Sequence, residues 1–272
     1  MWNDKSPKKI WSFLALTFLL AWVCEGVLIL IEQTGILSGI LSGITGFIII
    51  TMYRGITVAC APAWAILILL KKHNQIKGFK EFFLRIFKAE KRLRTVIITV
   101  AFFLGYFIVC MFSGQYLGDT WYFALFALLW LAAGIIGGGM EEPGWRGFLQ
   151  PALEEKLPFI VATLCVGVIW AVWHIPSWFV QSIGMSSLNF LSFTLHCIAL
   201  SFVMAALYKL TKSVFACVLF HSWSNALGNV FSMDYLVDPP DFKLIVICTL
   251  LIIPAIIICV FVDKKKKELV NG

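Results

Sequence analysis

Eight long apolar stretches separated by short polar breaks run through the chain, and each is close to the length of a membrane-crossing helix. A helix needs about 20 mostly apolar residues to cross the hydrocarbon layer. On that rule the sequence predicts helices over residues 10–31, 47–70, 95–113, 121–140, 158–180, 188–209, 213–232 and 243–262. The fold class is therefore an all-α membrane protein, a polytopic bundle of about eight transmembrane helices. The first stretch follows Lys5, Lys8 and Lys9, as a signal peptide would. It is too long for a signal-peptide core and lacks a small-residue cleavage site, so it reads as a retained helix. Residues 35–46 are apolar but carry Gly35, Gly39, Gly43 and Gly46; a loop, a re-entrant segment and the start of the second helix all fit.

Composition agrees with burial in lipid. Hydrophobic residues make up 60% of the chain and charged residues 14%, against about 45 to 50% and about 25% in soluble domains. The eight cysteines all lie in apolar stretches and form no C-x-x-C pair, so they read as small packing residues. A net charge of +7 could suggest nucleic acid, but the basic residues cluster beside the apolar spans, where anionic lipid headgroups would face them.

Basic loops stay cytoplasmic. Residues 71–94 carry nine basic and two acidic side chains, and the tail carries Lys264, Lys265, Lys266 and Lys267. The intervening loops at Glu32, Asp119, Gln181 and 234–241 are acidic or lack basic residues. With eight spans every basic loop and both termini fall on the cytoplasmic side of the cell membrane. In the basic loop, Phe79, Phe82, Phe83, Ile86 and Phe87 recur at helical spacing among lysines and arginines, which fits a short amphipathic surface helix or a solvated loop equally well. The organisation is then an N-terminal helical part (1–118) with that loop, a core (119–232), and a last helix with a basic tail (233–272).

Ionisable groups inside spans cost several kcal/mol unless paired or hydrated, so each is a functional candidate. Three segments carry them. At the end of the fourth stretch, Gly137, Gly138 and Gly139 precede Glu141, Glu142, Pro143 and Arg146. Adjacent carboxylates diverge by about 100° on a helix, whereas Glu142 and Arg146 share a face and can pair. That leaves Glu141 without a counter-charge, as a general base requires; interfacial charges at a helix end are the plain alternative. On the fifth stretch His174 sits among Trp170 and Trp173. On the seventh, His221 and Asn225 lie one turn apart on one face, fit to hold an oxyanion or merely to glue helices. His196, with no acidic neighbour in sequence, reads as a packing histidine.

Glu141-Glu142-x-x-x-Arg146, Trp170-x-x-x-His174 and His221-x-x-x-Asn225, in that order on successive helices, resemble the CPBP family of intramembrane proteases, also called the Abi or CAAX prenyl protease type 2 family. The resemblance spans roughly residues 121–230. Trp170 departs from the phenylalanine common in the family. The resemblance implies a conical cavity open to the cytoplasm and the membrane. It also implies peptide hydrolysis near the C-terminus of prenylated proteins, or peptide processing and bacteriocin immunity in bacterial members.

The expected function is hydrolysis of a peptide bond in a membrane-associated peptide or lipid-modified protein. In this reading Glu141 deprotonates a water held with His174, His221 and Asn225 bind the oxyanion, and Glu142 with Arg146 braces the site. A zinc enzyme with Glu141, His174 and His221 as ligands is the competing mechanism, and the metal-free one is preferred. A cysteine nucleophile is disfavoured, since no Cys stands in a fitting position near the three motifs, although Cys217 is one turn before His221. The non-enzymatic alternative is an immunity or scaffold protein that binds a peptide without cleaving it. A transporter would show paired broken helices, which the spans lack.

Overall fold

In a computed structural model of the protein, residues 6–35, 39, 43–88, 92–117 and 123–271 are described, and among them no strand forms. Helix α1 (Pro7–Thr34) starts on a proline whose missing N–H costs nothing in a first turn and stops at Gly35, whose φ of +64° suits glycine. Helix α2 (Gly43–Arg54) passes through a π-helical turn, Gly55–Ala59, into α3 (Ala61–Lys72), with a 41° bend between the two rods. Two residues explain the break. Pro62 cannot donate to the preceding turn, and a side chain on Gly55 would press within 3.1 Å of Ile136.

Helix α4 (Phe79–Phe87) follows, then α5 (Arg92–Ser113) and α6 (Phe123–Ile136). The chain next folds through short turns, α7 (Glu142–Gly144) and α8 (Gln150–Glu154), into α9 (Phe159–Trp173). Three 3-10 turns lead to α10 (Phe190–Thr211), then α11 (Val214–Gly228) and α12 (Phe242–Asn271). Asn189 and Ser213 cap α10 and α11 by accepting hydrogen bonds from N–H groups of their first turns. Helix α10 is the most buried, packed between α9 and α12, while α11 lies against α5 and α6.

The loops alternate between two ends of the bundle. At one end the Glu32 carboxylate accepts hydrogen bonds from the backbone of Gln181 (2.7 Å) and Ser182 (3.3 Å). Tyr116 bridges to Phe231 there, and the Asn189 N–H donates to the Leu236 carbonyl. Toward the opposite ends of α10 and α12, Lys209 pairs with Asp263 at 2.6 Å.

The all-α expectation holds, and the exact count of eight spans is not confirmed. Among the described residues five helices are long and apolar enough to cross a membrane, or six if the bent α2–α3 pair is one span. Helices α6 and α11, with 14 and 15 residues, fall short of the length rule. The fourth stretch loses its helix at Gly137 because the chain turns there, and the seventh ends at Gly228 rather than 232. Of residues 35–46, positions 36–38 and 40–42 lie outside the described set, as does Asp119; from Gly43 onward the chain is the start of a helix.

The aromatic residues of the basic loop do form a helix. Phe82 and Ile86 of α4 are buried and Phe87 lies 4.6 Å from the Phe215 ring, so one face docks on the bundle. Glu81 fixes its start: the Lys77 N–H and then Arg85 hold its carboxyl below the usual range.

Candidate active site

The chemistry-bearing residues converge on a cavity of about 460 Å³, whose walls include Glu141, His174, His221 and Asn225. Glycines make this possible. A Cβ on Gly138 would lie 2.4 Å from the Asn225 side-chain nitrogen and 3.0 Å from His221 Nε2. On Gly139 it would meet Ser222 Oγ at 2.6 Å and the Val218 carbonyl at 2.8 Å. The triplet thus lets the α6–α7 connection lie directly on α11, and it leaves two side-chain nitrogens facing a patch with no side chain of its own.

Glu141 and Glu142 diverge as the helix geometry requires. Glu141 is buried and no cation pairs with it among the described residues. Its Oε2 accepts hydrogen bonds from two indoles, Trp170 Nε1 at 2.6 Å and Trp145 Nε1 at 3.1 Å. Glu142 faces away from the cavity. One of its oxygens lies 3.3 Å from Arg146 Nη1, and the other accepts a 2.8 Å hydrogen bond from His221 Nδ1. Arg146, wholly buried, also donates to Ser201 Oγ at 3.0 Å and lies over the Trp170 ring.

Both histidine rings are fixed by their Nδ1 atoms. The Trp170 carbonyl can only accept, so the 2.9 Å contact from His174 assigns the proton to Nδ1 and leaves Nε2 as the acceptor of a neutral ring. A carboxylate likewise only accepts, so His221 donates from Nδ1 to Glu142. His196 lines the cavity too, with its ring against Tyr235 and Nδ1 without a partner.

Sequence reasoning missed three things here. The first is a buried pair inside two predicted spans. Arg54 donates from Nε and Nη2 to Glu25 (3.1 and 2.8 Å), and Ser177 Oγ donates to the same carboxylate at 2.8 Å. The rule that flags any ionisable residue within a span would have found both. The second is Trp170, read as a mild departure, whose indole N–H is a donor that phenylalanine lacks. The third is Cys197, which lines the cavity, with no histidine hydrogen-bonded to it among the described residues. Cys217, weighed from sequence, is buried with its thiol toward the Met204 carbonyl.

A zinc ion would need Glu141, His174 and His221 to converge as ligands. Among the described residues no group of three His, Cys, Asp or Glu is placed to hold a metal ion. As placed, these three side chains do not form that ligand set.

The helical bundle thus gathers a buried carboxylate, two fixed imidazoles and an amide around one cavity, a set able to activate water and to hold an oxyanion. Residues 121–227 match the family described as type II CAAX prenyl endopeptidase Rce1-like. The chain is also 27% identical over 223 residues to the CAAX prenyl protease 2 of Methanococcus maripaludis, an alignment that covers 74% of this chain and 77% of that relative. Both findings support a membrane protease, and both agree with the family that the three motifs resemble.

Proposed function

We propose that the protein is an intramembrane endopeptidase that hydrolyses a peptide bond of a membrane-associated peptide or lipid-modified protein, with residues 119–232 as its catalytic core. The observation that carries this reading is Glu141, a carboxylate with no cation, on the wall of a cavity where His221 and Asn225 present nitrogens at the bare Gly138. The relative's name specifies a prenylated CAAX substrate; a lipid-modified peptide is the corresponding substrate class here. An immunity or scaffold role is not favoured, because both matches are to peptidases.

The chemistry needs no covalent intermediate and, in this reading, no metal. His174 Nε2 accepts a hydrogen bond from the attacking water and orients it. Glu141 removes the water proton through Oε1, the oxygen the two indoles leave free, as the water oxygen bonds to the carbonyl carbon. The carbonyl oxygen becomes an oxyanion that accepts hydrogen bonds from His221 Nε2 and Asn225 Nδ2. Because His221 Nδ1 already donates to Glu142, Nε2 donates as well when the ring carries both protons. The buried charges then balance: Glu141 and Glu142 negative, Arg146 and His221 positive, so no net charge is left in the low-dielectric interior. Collapse breaks the C–N bond, and Glu141 returns its proton to the leaving amine.

Glu141→Gln keeps the size and hydrogen bonding of the side chain but cannot take a proton. A purified preparation should lose cleavage of a farnesylated peptide to background while it still folds and binds that peptide. Near wild-type cleavage would remove Glu141 as the base. The proposed orientation places Met1, the basic loop and Gly272 in the cytoplasm. Single cysteines in a cysteine-free background should be labelled from outside intact cells at Asp238 and not at Lys77; the reverse pattern would refute it.

A further inference from the structure

A cavity built mostly of apolar and aromatic side chains has one lysine or arginine on its wall, and it is Arg54. The residue lies roughly 16 Å along α2 from its start at Gly43, deep in a span, where a charge is expensive unless turned into the bundle. Its partner Glu25 belongs to α1, and Ser177 stands between them: Arg54 Nη2 donates to Ser177 Oγ at 3.0 Å, and Ser177 donates to Glu25 at 2.8 Å. Such a triad could be helix glue and nothing more.

Two features exceed that role. The Glu25 side chain is 2% exposed while the Arg54 side chain is 23% exposed, so the anion is sealed and the cation opens onto the cavity. A guanidinium has five N–H groups. Nε and Nη2 account for those engaged, and Nη1 has no protein partner among the described residues. Glue alone would favour the reverse, a guanidinium enclosed with all its donors satisfied. Arg54 and His174 line the same cavity.

We propose that Arg54 Nη1 binds a carboxylate of the peptide substrate and so fixes the direction in which the peptide lies across Glu141. The inference rests on the peptidase reading. Glu25 and Ser177 hold the guanidinium in place, so little side-chain entropy is lost when the anion arrives. The carboxylate has two possible sources, the free C-terminus of the peptide or an acidic side chain.

The test is a binding measurement on purified protein, independent of cleavage. A fluorescent farnesylated peptide with neutral side chains is made as the free acid, as the C-terminal amide, and as an amide with one glutamate, and anisotropy gives the three affinities. A carboxylate on either peptide should tighten binding about tenfold over the neutral amide, and which peptide gains tells terminus from side chain. The double variant Glu25→Gln/Arg54→Gln, which removes both charges together, should bring that ratio to about one. Glu25→Gln alone leaves the cation less neutralised and should enlarge the ratio, a change that helix glue does not predict; it also serves if the double variant unfolds. Equal binding of all three peptides overturns the proposal, as does a ratio that neither variant moves. Cleavage of all three peptides at equal kcat/KM would leave the peptidase reading standing and sink this one. No binding of any peptide to folded protein would sink both.

Discussion

Glu141 and Glu142 are neighbours in the chain, both buried, and their surroundings are opposite. Glu142 lies between a guanidinium and an imidazole, away from the cavity, with its charge answered. Glu141 opens to the cavity and is held by two neutral indoles, with no cation. A charge that is met on every side is inert, since any reaction there would break a pair. A charge held in place by neutral donors keeps its direction and remains able to take a proton. One residue's step along the backbone, with its divergence of about 100° between adjacent side chains, separates a structural carboxylate from a chemical one.

The comparison breaks most sharply at Arg146. Removing one partner of a buried pair costs about 3 to 5 kcal/mol because the other charge stays behind. Arg146→Ala should therefore lower folded yield and melting temperature in detergent, together with activity. The companion variant Glu141→Gln should melt near wild type. If Arg146→Ala melts normally, the Glu142 side is solvated and the contrast between the carboxylates fails.

Asn225→Ala tests the cavity side. Loss of one oxyanion donor typically lowers turnover about 100- to 1000-fold, so kcat should fall in that range while peptide affinity changes little. An equal rise in KM with kcat intact would mean that Asn225 binds ground-state peptide, and that the His221/Asn225 nitrogens are a docking feature.

Much of this was legible in the sequence, and the omissions share a cause. Periodicity located the helices, and i, i+4 spacing brought Glu142 to Arg146. Neither reaches across helices. That His221 Nδ1 goes to Glu142, and that Trp170 donates to Glu141, are contacts between elements far apart in sequence, whereas Trp145 reaches Glu141 at i, i+4 spacing that the sequence does offer. Gly138 reads as a helix breaker by composition, but its role is to admit the Asn225 and His221 side chains, which depends on α11 lying against it. Glu25 and Arg54 stood in the open within predicted spans and were passed over because they lay outside the motifs. The count of eight spans is not confirmed because helices α6 and α11 are short among the described residues, while the apolar runs continue past the points at which they end.

The smallest expected effect concerns Trp170, the one departure from the motifs that the chain resembles. Trp170 Nε1 makes the shorter of the two contacts to Glu141 Oε2, and Trp145 the longer. Hydrogen bonds to charged groups contribute about 1.5 to 3 kcal/mol, and Trp145 would still hold the carboxylate after one is lost. Trp170→Phe keeps an aromatic ring beside Arg146 and His221 and removes that one donor. Turnover should fall about 10- to 100-fold with KM nearly unchanged, because the defect lies in the aim of the base and not in the walls that touch peptide. Trp145→Phe should lose less, in keeping with its 3.1 Å contact, and the double variant should lose more than either. Wild-type turnover in Trp170→Phe would mean that Glu141 needs no indole to stay in place, and that a cation-free carboxylate in this cavity is positioned by packing alone.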